Sequence, residues 1–206
     1  MLLALLPFLL SALAADAPPR GADAPVRRAP GRTGLSWDEA DSLGRKLAAI
    51  EERQKEKSRR SETVQVTQGE VNSYLNLTYA SQLPKGLSNV EVQFARERIQ
   101  AKGWIDIEQV RGVAAPPNWS PLAFLSGNVP VELAGRLVNA DGFGTIEWES
   151  VYVASIRVPI SVLEQMVAQA TRTEKNPDGV DIHAPFRLPY SVNRVRLEPG
   201  RALLEF

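Results

Sequence analysis

The chain has 206 residues, in which 24 Lys and Arg balance 24 Asp and Glu, with one histidine and no cysteine. The absent net charge argues against a general nucleic-acid binder, which needs excess positive charge to displace counterions. Without cysteine there is no disulfide framework, thiolate zinc site, iron–sulfur cluster, cysteine nucleophile or lipidated-cysteine anchor. The length suits one domain with a core, preceded by a leader.

Residues 1–17, MLLALLPFLLSALAADA, carry an apolar run too short to span a bilayer comfortably. Ala12-Leu13-Ala14 and Ala15-Asp16-Ala17 both offer the small-x-small pattern of a signal peptidase site. Residues 1–17 are therefore expected to be a signal peptide, giving a periplasmic or extracytoplasmic protein. The competing reading is the hydrophobic N-terminus of a cytosolic protein, since the segment lacks Lys and Arg. Residues 18–35 are dominated by Pro, Ala, Gly and Arg without an apolar period, which predicts a disordered linker.

Ser36-Trp37-Asp38-Glu39 has the form of a capping box and opens a charged amphipathic helix over 36–60. Leu43, Leu47 and Ile50 make a narrow apolar stripe, so this helix is expected to pack loosely or project. Its end is rich in Lys and Arg, which is ordinarily a solvated face. The sharper reading is transient membrane-surface contact through Arg20, Arg27 and Arg28 of the linker with Arg59 and Arg60 of the helix.

A single α+β domain is expected over 61–206. Residues 63–66 predict a short strand, and Thr67-Gln68-Gly69-Glu70 a second capping box, opening a helix with Val71, Tyr74 and Leu75 on one face. Asn76-Leu77-Thr78 has the form of a glycosylation acceptor, discounted here because it falls on a helix. Val90, Val92 and Phe94 alternate, as do Ile99, Ala101, Gly103, Ile105 and Ile107, which predicts a hairpin over 87–110 turning at Arg96-Glu97. Residues 111–126 read as an irregular loop, tucked over a core or touching a partner.

The clearest pattern follows over 127–172. Val129, Val131, Leu133 and Leu137 share one strand face with Gly135, Asp141-Gly142 supplies a tight turn, and Ile146 and Trp148 line the return strand. Pro159 then opens a helix with Ile160, Leu163, Val167 and Ala170 in one stripe. Glycines 103 and 135 lie on the presumed inner face, where they either leave room for a ligand or let the strands bend. Residues 192–197 and 202–206 predict a last hairpin across Pro199-Gly200.

Little in this chain points to catalysis. His183 beside Asp181 lacks an accompanying nucleophile motif, and with one imidazole and no thiolate a conventional metal site is implausible. Asp106 with Glu108, and Glu147 with Glu149, are i,i+2 acids of the kind found on ordinary solvated strand faces. No catalytic residue, metal or cofactor is expected.

The order of motifs, TxxEVNSYL at 67–75, VPVELAGRL with DGFG at 129–144, VPISVLEQMV at 158–167 and PFRLPYSVNRVRLEPGRALL at 185–204, resembles the small exported bacterial proteins of the tubular lipid-binding (TULIP-like) group. That group includes the periplasmic factor implicated in mycobacterial lipomannan elongation and the YceB-like lipoproteins. The resemblance implies a highly twisted antiparallel sheet partly wrapped around a long helix, with an apolar groove for acyl chains and no catalytic residues. The helix over 36–60 would be an extra N-terminal element. The expected lining is Val71, Tyr74, Leu75, Val92, Phe94, Ile105, Leu133, Trp148, Leu163 and Val167, each of which could equally be plain core. The functional expectation is a non-enzymatic binder or carrier of a lipid or other amphiphile. The alternatives are an envelope structural or interaction protein with a filled core, and an envelope enzyme acting through Asp106, Glu108 or His183.

Overall fold

The computed structural model describes residues 34–55, 62–111, 125–172, 174 and 176–206. The expected signal peptide, the linker except for its last two residues, and Arg59 and Arg60 at the end of the first helix lie outside them, as do Arg20, Arg27 and Arg28. The fold is α+β, with a three-stranded and a six-stranded antiparallel sheet.

The smaller sheet joins the two ends of the domain. Strand β1 (Thr63–Thr67) pairs with the last strand, β9 (Arg201–Glu205), whose other side takes β8 (Arg194–Glu198). The predicted Pro199-Gly200 turn connects β8 to β9, with Gly200 at φ +77° as a type II turn requires.

The larger sheet runs β2 (Leu87–Ala95), β3 (Arg98–Asp106), β4 (Asn128–Ala140), β5 (Phe143–Val153) and β6 (Ile156–Arg157), and β7 (Phe186–Arg187) adds to the far end of β5. The alternation in β4 is as predicted: Val129, Val131, Leu133, Gly135 and Leu137 are all buried. In β5 the inward face switches from Gly144, Ile146 and Trp148 to Val151 and Val153. The register explains it, because Gly135 pairs with Trp148 and Ala134 with Ser150, leaving Glu149 as an extra bulged residue that flips the alternation. This bulge also decides the role of Gly135. A Cβ there would stand 2.8 Å from the Ile146 side chain and 3.0 Å from the Glu147 carbonyl, so the glycine permits a close approach and leaves no room for a ligand. Gly103 is likewise approached, at 3.3 Å from Leu87 Cδ1.

Two local expectations are corrected. Strand β3 stops at Asp106 and does not continue to Ile107, because the Asp106 carboxylate accepts the Glu108 and Gln109 N–H groups (3.0 and 3.3 Å) and starts the short helix α3 (Ile107–Arg111). The hydrogen bond from Gln109 leads the effects that hold the Asp106 carboxyl below its usual range. After β5 the chain makes a further hairpin through Ala154-Ser155, both at positive φ, before α4 (Ile160–Thr171). Ala-Ser carries none of the Gly, Asn or Asp signals that mark such turns.

Helix α1 (Trp37–Lys55) does not project. Ala40, Leu43, Leu47 and Ile50 are all buried, each leucine or isoleucine contributing about 1.5–3 kcal/mol by leaving water. At its start the Glu39 N–H donates to Ser36 Oγ (3.5 Å), one half of the predicted box, but the return bond goes elsewhere. The Ser36 N–H donates to Ser73 Oγ (3.1 Å), whose hydroxyl in turn donates to Glu39 (3.0 Å), so the cap reaches across to the neighbouring helix. That neighbour, α2 (Gln68–Ser73), carries the predicted capping box intact: Thr67 Oγ1 accepts the Glu70 N–H and Glu70 accepts the Thr67 N–H. It continues into a π-helical turn, Tyr74–Thr78.

Helix α2 also protects a sheet edge. Strand β2 is terminal in the larger sheet, and an unpaired edge invites association with other chains. Gln68, Asn72 and Asn76, spaced four apart and so on one helix face, run along it. Gln68 Oε1 accepts the Phe94 N–H (3.1 Å), Asn72 both accepts the Val92 N–H (2.7 Å) and donates to its carbonyl (3.0 Å), and Asn76 donates to the Val90 carbonyl (2.6 Å). Asn76 is thereby committed to the interior contact, in keeping with the discounted glycosylation motif. Asn72→Ala is expected to lower the unfolding free energy by about 2 kcal/mol, since two hydrogen bonds go and two strand groups are left without partners. A urea melt reads this directly, and a change under about 0.5 kcal/mol would show that water replaces the amide without loss.

Candidate functional site

The inward face of the larger sheet supports two separate cores. The first gathers α1, α2, the smaller sheet and the near ends of β2 to β5, with Leu43, Val71, Val92, Leu137, Ile146 and Val195 among its members. The second lies under α4, where Val131, Leu133 and Val151 meet Val158, Val162, Leu163, Val167 and Ile182.

Within the first core is an apolar cavity of about 100 Å³. Leu43 and Leu47 of α1 and Val71 of α2 form one wall, with Val92 and Phe94 of β2 and Leu137 of β4 beside them. The smaller sheet supplies Val66, Val195, Leu197, Ala202 and Leu204. Pro189, Tyr190 and Val192 complete its lining.

The turn that carries Tyr190 is held in an unfavourable backbone conformation. Tyr190 and Ser191 are consecutive non-glycine residues at φ +56° and +57°, in the left-handed region that costs about 1–2 kcal/mol per residue. The turn is fastened to α1, where Gln54 Nε2 donates to Ser191 Oγ (3.0 Å). Burial, then the nearby Glu51 charge, push the Tyr190 phenol upward, and burial raises Tyr74 and Tyr79 also. The rings of Tyr74 and Tyr79 stack with centroids 6.3 Å apart. Of these tyrosines, Tyr190 lines the apolar cavity.

Of the ten residues expected to line a groove, Val71, Val92 and Phe94 line the cavity. Tyr74 and Leu75 are buried in the same core without lining it, and Ile105 and Trp148 pack against both cores. Leu133, Leu163 and Val167 belong to the second core, so the ten do not form one site. Leu43 and Leu47 were legible as an apolar stripe, but on a helix expected to pack loosely or project. Nothing local marked the contributions of Tyr190, Val195 or Ala202.

A buried polar cluster lies at the α1–α2 contact. Glu70, only 6% exposed, accepts hydrogen bonds from Ser42 (2.5 Å) and from Lys46 at both oxygens (2.7 and 2.8 Å). Burial raises the Glu70 carboxyl, but the Lys46, Ser42 and Thr67 hydrogen bonds outweigh it and leave the group below its ordinary value of 4.5. Lys46 also donates to the Gln65 carbonyl (2.7 Å). Each group has a structural partner, which is the chemistry of a clamp.

The residues weighed for catalysis are engaged separately. Asp106 starts α3, the Glu108 carboxylate accepts the Gly127 N–H (2.9 Å), Glu149 pairs with Arg98 (3.0 Å) and His183 meets Glu164 of α4 (2.5 Å). Among the described residues no group of three His, Cys, Asp or Glu could hold a metal, and no helix is long and apolar enough to cross a membrane. Compared with protein-family models, with curated proteins and with solved structures, the chain matches none.

Proposed function

We propose that this protein is a non-enzymatic, extracytoplasmic binder of a lipid or other amphiphile, with the apolar part of the ligand entering the first core. In this reading the fold is TULIP-like, and the helix partly enclosed by twisted sheet is the α1–α2 pair. The observation that carries it is the cavity of about 100 Å³, apolar throughout and lined in part by Tyr190 of the left-handed Tyr190-Ser191 turn. A void forfeits dispersion contacts and a strained turn costs conformational energy, so both oppose stability and call for a functional use. Apolar cavities of roughly 150 Å³ stay dry and take up benzene-sized ligands, which puts this one in the range of a single alkyl segment.

A second reading rests on the same number. Formed ligand sites span about 300–1,000 Å³, and a cavity a fraction of that size also suits an envelope interaction protein whose core is essentially filled. Native mass spectrometry of the purified protein, followed by organic extraction and by titration with decanoate, separates the two. A stoichiometric bound lipid or saturable decanoate uptake is expected. Ala202→Val, which fills the void from a β-strand, should abolish uptake while raising stability by about 0.5–2 kcal/mol. A clean apo mass that takes up nothing would move the assignment to the interaction protein.

A further inference from the structure

The β4–β5 hairpin ends in an exposed apolar tip. Phe143 is 54% and Val138 46% exposed, the two highest values among the exposed large hydrophobic residues described. Val138 pairs with Thr145 and Ala140 with Phe143, which makes Val138 and Phe143 diagonal neighbours on the outward face. Arg187 stands directly across the β5–β7 pair from Phe143 and shares that face. Arg194 follows Asn193, whose carbonyl accepts the Gly142 N–H at the turn (2.9 Å).

Neither arginine makes an ion pair among the described residues. Lys102, Arg98, Arg136, Arg196 and Arg201 are by contrast each paired with a glutamate. Glu205, across the strand from Arg194, is taken by Arg196 (3.4 Å). The acid at the apex is Asp141, so the tip carries two free cations against one anion. A stable protein interface needs roughly 800 Å² per partner, far more than two side chains supply. Two protruding apolar side chains flanked by unpaired guanidinium groups instead match a lipid surface, where the first enter the headgroup boundary and the second meet phosphates.

We propose that the β4–β5 tip is a docking site for an anionic bilayer, with Phe143 and Val138 inserting and Arg187 and Arg194 contacting lipid phosphates. This surface uses none of the linker and first-helix arginines singled out from the sequence. It is also joined to the cavity, because the Leu188 N–H donates to the Gly142 carbonyl (2.7 Å), so the tip and the segment leading into Tyr190 are fastened together. Docking there would bring the turn that carries Tyr190 to the bilayer. The inference stands on the surface chemistry and does not require a bound ligand.

The absence of cysteine makes the test local. Ala140→Cys in the full chain places one thiol at the tip, and Asn128→Cys places one at the other end of β4; each is labelled with an environment-sensitive fluorophore. With phosphatidylglycerol-containing vesicles the tip label should shift to the blue and the control label should not. Adding Phe143→Glu or Arg187→Gln should raise the lipid concentration for half the shift by about tenfold, and purely phosphatidylcholine vesicles should give little shift. An unshifted tip label, an equal shift of both labels, an equal response to neutral vesicles, or unaltered binding by both variants would overturn the proposal. Decanoate uptake by Phe143→Glu is measured in parallel: lost docking with retained uptake separates this surface from the cavity, and failure of uptake alone leaves docking standing.

Discussion

Leu43→Ala should lower the unfolding free energy by about 3 kcal/mol, with the urea midpoint falling at nearly constant slope. Leu43 is 1% exposed and lines the cavity, so its truncation removes a transfer contribution and merges new empty space with old. Two effects compete. The side of Leu43 that faces the void already lacks contacts, which reduces the loss, while the strands around the void cannot collapse to fill it, which increases the loss. The second weighs more, because the smaller sheet is tied to the larger one: Asn139 donates to the Val195 carbonyl (2.8 Å) and accepts its N–H (2.7 Å), and the Gly200 N–H donates to the Phe94 carbonyl (3.1 Å). The enlarged cavity should also take up benzene, seen as a rise in melting temperature that the Ala202→Val protein does not show. A destabilisation under about 1 kcal/mol would mean that α1 is not part of the core, and the site built on it would fall.

Lys46→Ala is the second large effect, about 3 kcal/mol at pH 7. Removing one partner of a buried pair costs roughly 3–5 kcal/mol, and the lower end applies because the Lys46 side chain is 31% exposed against 7% for Glu70. The pH dependence identifies the cause. In the native protein the Glu70 carboxyl lies below 4.5, despite burial, because of the Lys46, Ser42 and Thr67 hydrogen bonds. A group depressed on folding contributes stability that is complete above its unfolded value and is lost as pH falls through the folded one. The native protein should therefore weaken below pH 4.5 through this group. Without Lys46 the desolvation of Glu70 acts against fewer counterweights, and protonation relieves the buried charge. The difference between the two proteins should then shrink as pH falls. A difference that is constant from pH 7 to pH 4 would assign the loss to packing of the lysine stem and not to the ion pair.

Much of the local structure was legible because its causes are local. The Thr67–Glu70 box, the Asp141-Gly142 and Pro199-Gly200 turns, and the alternation of β4 each depend on a few adjacent side chains and on backbone angles that particular residues favour. The Ala154-Ser155 hairpin escaped because neither residue favours positive φ, and the Glu149 bulge because one unpaired residue leaves no compositional trace. The groove was legible only as a set of apolar residues. Val92 and Leu133 share the same alternating pattern, yet one lines the cavity and the other lies in the second core.

By itself the sequence determined most of the strands, helices and turns and the apolar face of most of them, since period and turn chemistry act over a few residues. Only the tertiary structure decided which apolar faces meet. The pairing of β1 with β9 joins Thr63 to Glu205 across most of the domain, α1 is drawn into the core by Leu43 and Leu47, and the cavity opens where these surfaces fail to fill the space between them. Such contacts are chosen by the summed burial and chain closure of the whole domain, which no short stretch of residues records.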